Sequence, residues 1–241
     1  NLFNRIELVK VDGFGFFEAY ANRDSLKYRE LYSLENIPTI LRGTLRRTGF
    51  CKAWNVFVQL GMTDDSYDLQ GVEEMTYRGF INTFLVYSES LSVEKKVIQY
   101  FNLNSKGDIF KKLQWLGIFE DKKIGLSVAS PAMILQKLLE SKWKLQPLDK
   151  DMVVMQHQFE YEIGGKLQRL ISSFVTIGEN AKHTAMAKTV GLPLGILAKL
   201  ILEDRIPLTG IQIPVVKEIY IPVLKELDQL GVCFEREIVN L

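Results

Sequence analysis

Cysteine and histidine are scarce. The 241 residues hold two of each: Cys51, Cys233, His157 and His183. Two cysteines cannot build a disulfide framework, and no metal-ligand spacing is present, so disulfide-stapled and zinc-finger classes are excluded. A reduced, cytoplasmic compartment and no bound metal are expected. Charge of one sign is also lacking. Lys and Arg number 30 against 29 Asp and Glu, a net charge of +1. A nucleic-acid surface needs a clear basic excess or stripe, so no nucleic-acid partner is expected. No apolar run reaches about 18 residues, and no membrane span or membrane partner is expected. The glycine-rich signatures are missing too. The lone GFG at residues 13–15 lacks the spacing and the strand–turn–helix setting of a dinucleotide fingerprint, and there is no P-loop or G-x-S-x-G.

What is present is ordinary globular material, 47% hydrophobic and 24% charged. The length suits one large α/β unit or one and a half domains. The chain begins Asn-Leu-Phe-Asn-Arg and enters a strand-like segment almost at once. That abrupt opening suggests a fragment of a longer protein.

The first 46 residues predict strand, strand, short helix, strand. RIELVKV and the aromatic FGFFEAY are the first two strands, and NRDS supplies a turn. Ser25 is a candidate N-cap for a helix over LKYRELYSL. TILRGTLR reads as the third strand. A helix follows from Phe50 to Gly61, with Phe50, Ala53, Trp54, Phe57 and Val58 at helical spacing. Residues 62–126 read as a small helical insertion, and 129–143 as a helix with Pro131 near its start. Two β-rich runs flank Gly164-Gly165, the mark of a hairpin. A helix is expected from Thr184 to about Glu203, then a short strand over GIQIP and a helix over VKEIYIPVLKELDQLG. The expected architecture is α/β (α+β). A mixed-sheet domain covered by helices spans 1–61 and 127–183. The insertion interrupts it, and a helix–strand–helix segment over 184–241 completes the chain.

The chemistry-bearing stretch is TILRGTLRRTGFCKAW, residues 39–54. Strand side chains alternate faces, so an extended TILRGTLR places Ile40, Arg42, Thr44 and Arg46 on one side. The two arginine backbones then lie about 13 Å apart, with the Thr44 hydroxyl between them. Gly43 on the other face allows close approach of a neighbour. Guanidinium forks suit carboxylates, so the row suits a small ligand with several acid groups. Pairing with the chain's own Asp and Glu is the structural alternative. Asn22, Arg23, Asp24 and Ser25 form a second polar cluster, read either as turn chemistry or as a cleft wall. His157 is expected to be structural, and His183 either a cap or a site residue. Cys51, near a helix start, is either a thiol of lowered pKa or a buried, inert one.

AYANRDSLKY, ILRGTLRRTGFC and TAMAKTVGLPLGILAKLIL, with the ending GIQIPVVKEIYIPVLKELDQLGV, resemble one family in order and spacing. It is saccharopine dehydrogenase of the glutamate-forming kind, in its C-terminal portion. The resemblance covers nearly the whole chain and is loose over 62–126. The chain differs at Ala21 and Thr48, where members often show proline, at Arg47, where an aromatic is usual, and at Lys182-His183-Thr184. The resemblance implies a substrate-binding domain whose N-terminal Rossmann partner binds NAD or NADP, with no cofactor held by this portion alone and a possible homodimer. It implies reversible reduction of the imine of glutamate and aminoadipate semialdehyde to saccharopine. Arg42, Thr44, Leu45 and Arg46 would anchor substrate, with Asn22, Arg23, Asp24 and Ser25 organising the cleft. Thr184, Lys188 and Thr189 would lie near the domain junction. No catalytic acid or base is assigned. A related reductase of carboxylated imines, such as carboxynorspermidine dehydrogenase, and a non-catalytic domain on the same scaffold are the alternatives.

Overall fold

The structure is a computed structural model that describes residues 2–22 and 24–241. Its elements run in order: a 3-10 turn (Leu2–Asn4), β1 (Ile6–Val11), β2 (Gly15–Ala21), α1 (Tyr28–Leu31), β3 (Gly43–Arg47), α2 (Phe50–Leu60), β4 (Leu69–Gln70), α3 (Tyr77–Asn82), α4 (Val93–Tyr100), α5 (Asp108–Leu116), β5 (Val128–Ala129), α6 (Pro131–Trp143), β6 (Met152–Ile163), β7 (Lys166–Ile177), α7 (Ala185–Leu202), α8 (Lys217–Gln229) and β8 (Glu235–Asn240). This is the mixed α/β class that the sequence predicts. Two compact units divide the chain. One holds residues 1–10, 14–21 and 43–144; the other holds 11–13, 22–42 and 145–241.

The first unit centres on helices. Phe57 and Leu60 of α2, Phe80 and Ile81 of α3, Val97 of α4, Phe110 and Leu113 of α5 and Ile134 and Leu138 of α6 fall into one apolar cluster. α2, α5 and α6 contribute residues three or four apart, and Tyr77 of α3 stands three and four residues before Phe80 and Ile81, so one stripe of each of these helices faces that cluster. Full burial of a side chain of this size stabilises by about 1.5–3 kcal/mol. The segment 62–126 therefore shares its core with α2 and α6. The starts of α3, α4 and α6 are capped by Thr76, Ser92 and Ser130, whose hydroxyls accept from Gly79, Lys95 and Met133 N–H. Pro131 takes the first turn of α6, where a missing N–H costs nothing. The sheet order is β1-β2-β3, with β2 and β3 antiparallel and Glu18 directly opposite Arg46.

The second unit contains the long hairpin. β6 pairs with β7 over twelve residues from Met152↔Ile177 to Ile163↔Lys166. Gly164 and Gly165 both take positive φ, 58° and 73°, as a two-residue primed turn requires. β8 adds to β7 as a third antiparallel strand. α7 and α8 pack on each other through Ile196, Leu200, Ile219, Val223 and Leu227.

Three expectations are corrected. The third strand begins at Gly43, not Thr39, because the Arg42 N–H is donated to Ser25 Oγ. The helix over 26–34 shrinks to Tyr28–Leu31; Ser33 then takes a positive φ of 55°. GIQIP forms no strand. The strand of the tail is β8, so the order after Thr184 is helix, helix, strand. β8 lies in a charged run, EREIVN, whose pattern gives little strand signal. Separately from these, α7 is long and apolar enough to cross a membrane by length and composition, with a mean hydropathy of 1.6, although it holds no uninterrupted apolar run of that length. Lys188 and Lys199 break the run but are diluted across eighteen residues.

Candidate functional site

The predicted site residues fall into two clusters, one in each unit, and a third group on α7. Arg23 lies outside the described residues.

In the first unit, β3 keeps Thr44 and Arg46 on one face, as the period of two requires. Tyr20 and Glu18 stand opposite them on β2. Gly43 is tightly approached, since a Cβ there would lie 3.1 Å from the Tyr20 carbonyl oxygen. Arg46 is exposed. Its Nη1 donates to the Leu45 carbonyl at 3.0 Å, and its guanidinium carbon stands 5.4 Å from the centre of the Phe50 ring. It forms no ion pair with any carboxylate among the described residues.

The obvious partner is committed elsewhere. Glu18 is buried, and its two oxygens accept from Gly49 N–H at 2.7 Å and Cys51 N–H at 2.8 Å. Gly49, the N-cap of α2, has no side chain with which to cap the helix, and Glu18 does so from the neighbouring strand. A carboxylate at that position also meets the positive end of the helix dipole. Cys51, buried in the same corner, is pushed up to about 12 by burial and by the Glu18 hydrogen bond and charge, against a smaller opposing pull from Arg46. It is the inert thiol, not the activated one. Arg47 points to other duties: Nη1 donates to the Phe14 carbonyl at 2.9 Å and the group lies over Phe17.

In the second unit, Arg42, Ser25 and Asn22 come together. The Ser25 hydroxyl is buried and accepts from Arg42 N–H at 2.9 Å, and Asn22 N–H donates to the Arg42 carbonyl at 2.9 Å. Ser25 therefore does not cap α1; Asp24 Oδ1 takes the local role by accepting from Leu26 N–H at 3.0 Å. The Arg42 guanidinium carbon lies over the Tyr28 ring, 4.0 Å from its centre. It too has no carboxylate partner among the described residues. Because Arg42 precedes β3, the predicted strand-face row is confined to Thr44 and Arg46.

On α7, the Thr184 hydroxyl accepts from Ala187 N–H at 2.9 Å, and Thr189 Oγ1 donates back to the Ala185 carbonyl at 3.0 Å. Asp151 accepts from Ala185 N–H at 2.6 Å and Met186 N–H at 2.9 Å. His183 is held by its backbone, whose N–H donates to Asn180 Oδ1 at 2.9 Å. His157 is structural. Its ring stacks near Phe159 and Phe234, with centres 6.2 and 5.5 Å away, and burial holds its pKa below the usual value.

A nicotinamide dinucleotide needs a cradle of free N–H groups for its pyrophosphate, commonly at a helix N-terminus. The N-termini of α2 and α7 are filled by Glu18 and Asp151, so these residues do not fit that group. Among the described residues no cluster of His, Cys, Asp and Glu suits a metal ion.

Glu18, Tyr28, Phe50 and Asp151 escaped the sequence reading. Glu18 carried one signal, a lone carboxylate inside the aromatic run GFFEAY. A charge there demands a partner. Nothing local pointed to Asp151, which acts 34 residues away.

Comparison with known proteins gives concordant results. α-Aminoadipic semialdehyde synthase, mitochondrial, of Rattus norvegicus is 35% identical over 225 residues, covering 91% of this chain and 24% of that protein. Saccharopine dehydrogenase [NADP(+), L-glutamate-forming] of Schizosaccharomyces pombe is 30% identical over 234 residues, covering 93% of this chain and 52% of its own length. The solved structure of apo histidine-tagged saccharopine dehydrogenase (L-Glu forming) from Saccharomyces cerevisiae superposes with a TM-score of 0.84 at 28% identity, covering 99% of this chain and 55% of that one. The chain thus spans between about a quarter and a half of the relatives it matches. The model of the saccharopine dehydrogenase C-terminal domain matches residues 2–232, and the chain belongs to that family.

Proposed function

We propose that this chain is the substrate-binding part of an NADP-dependent saccharopine dehydrogenase. The whole enzyme would interconvert saccharopine with glutamate and 2-aminoadipate 6-semialdehyde through their imine. One observation carries the reading. Among the described residues, Arg46 and Arg42 have no carboxylate partner, although Glu18 stands directly opposite Arg46. Saccharopine carries three carboxylates, and an unpaired arginine fork is what such a ligand needs.

In this reading Arg46 takes a substrate carboxylate, the Thr44 hydroxyl beside it takes a further hydrogen bond, and the Leu45 backbone fixes their register. In the second unit Arg42, with Asn22, Asp24 and Ser25 beside it, is a separate candidate anchor for an acid group. These residues bind and orient; none is assigned a proton-transfer role. Holding reactants in the reacting geometry supplies about 7–11 kcal/mol of barrier lowering. The dinucleotide is assigned to another part of the longer protein. The C-terminal pair α7–α8 is the segment proposed to lie toward that part, on the strength of the exposed Met186, Val190 and Leu194 of α7.

The test is kinetic, in the full-length protein. Saccharopine oxidation is expected, with Arg46→Ala reducing kcat/KM by about 30-fold or more, the loss typical of removing one partner of a charged hydrogen-bonded pair. Wild-type protein without saccharopine turnover, or an Arg46→Ala enzyme of unchanged kcat/KM, contradicts the reading.

A further inference from the structure

Arg46 does not stand alone. Its guanidinium faces the Phe50 ring at 5.4 Å, and Phe50 stacks on Trp54 with centres 5.7 Å apart and planes 11° from parallel. Trp54 in turn stacks on Trp143 at the end of α6, at 6.1 Å and 23°. Three aromatic rings thus run in file, from the exposed Trp143 through the half-buried Trp54 and Phe50 to the exposed arginine. Trp54 is braced a second time by an edge contact with the buried Phe57.

The start of this file is fixed independently. Glu18 ties strand β2 to the first turn of α2 through Gly49 and Cys51 N–H. Phe50 lies between those two anchored residues. Its Cα therefore cannot drift relative to the strand pair that carries Arg46. The exposed side chain most in need of order, a long guanidinium with many rotamers, faces the one ring in its neighbourhood that is held from behind and from the side.

From this we infer that Phe50 is a positioning residue for Arg46: its ring is the platform on which the guanidinium is preorganised for a substrate carboxylate. The inference rests on the reading of Arg46 as a carboxylate anchor. A cation over an aromatic face is attracted to the ring, and an arginine already held in one rotamer loses less freedom on binding. The ring contributes shape and polarisability, so tyrosine serves in its place and an aliphatic side chain does not.

The experiment uses the full-length enzyme with saturating cofactor and varied saccharopine. Phe50→Leu is expected to raise KM for saccharopine by about 2- to 30-fold, the range of a cation–ring contact, with kcat changed by less than about twofold. Phe50→Tyr is expected to restore the wild-type KM. In an Arg46→Ala background Phe50→Leu is expected to add nothing, because the group it positions is gone. The inference is overturned if Phe50→Leu leaves KM unchanged, if it lowers kcat and leaves KM, or if its effect persists undiminished without Arg46. If Phe50→Leu does not fold, Phe50→Met, which also removes the ring, carries the same cycle. Arg46→Ala with altered KM and Phe50→Leu without it removes the inference alone. Arg46→Ala without effect removes the substrate reading and the inference with it.

Discussion

Glu18 and Arg46 face each other across β2 and β3 without forming an ion pair, because the Glu18 carboxylate is turned onto the first N–H groups of α2. The acid satisfies the helix and the base is left for something else. Glu18→Ala should therefore act on stability. The buried Cys51 N–H and the half-buried Gly49 N–H lose their acceptor, at a cost of about 1–3 kcal/mol in urea unfolding. Glu18→Gln, which keeps one acceptor oxygen, should cost less. Equal losses in the two variants would mean that the carboxylate is not the cap.

The thiols offer a simple count. Cys51 is buried and its thiol is pushed up to about 12, while Cys233 is exposed. An Ellman titration at neutral pH should report one reactive thiol per native chain and two after unfolding. Two fast thiols in the native protein would show the Glu18 corner to be open.

His157 gives a pH signature. Partial desolvation beside the Phe159 and Phe234 rings lowers its pKa from 6.5, so the unfolded chain takes up a proton more readily than the folded one. Stability from this group is complete above 6.5 and falls as the pH drops through that value toward the folded pKa. His157→Phe should flatten that part of the profile. Urea midpoints measured from about pH 5 to 7.5 test this, and an identical slope in both proteins contradicts it.

Asp151 holds the N-terminus of α7 from the start of the long hairpin. Asp151→Ala should cost about 0.5–2 kcal/mol, the usual price of a lost cap, with Asp151→Asn recovering much of it. The loss should appear in amide exchange at Ala185 and Met186 first. Unchanged exchange there would contradict the assignment.

What the sequence made legible follows the range of each interaction. The Gly164-Gly165 hairpin, the Phe50 helix and the Ser130-Pro131 helix start are decided within a few residues, and each lies where its pattern predicts. TILRGTLR looked like one strand because its alternation is good, yet a single distant hydroxyl, Ser25, turns Arg42 out of it. GIQIP has strand composition but no partner, whereas the charged EREIVN becomes a strand because β7 offers it an edge. The arginines were visible as an anomaly in composition. The freedom of Arg46 from pairing with Glu18 was not, since it depends on where Glu18, 28 residues earlier, points its oxygens.

The central claim is that Arg46 grips a substrate carboxylate. A crystal structure of the full-length protein with saccharopine tests it most directly. The account predicts carboxylate oxygens about 2.7–3.0 Å from the Arg46 guanidinium nitrogens, with the Phe50 ring still beneath the group. Saccharopine bound with Arg46 turned to solvent, or paired to an acid of the protein, would contradict it.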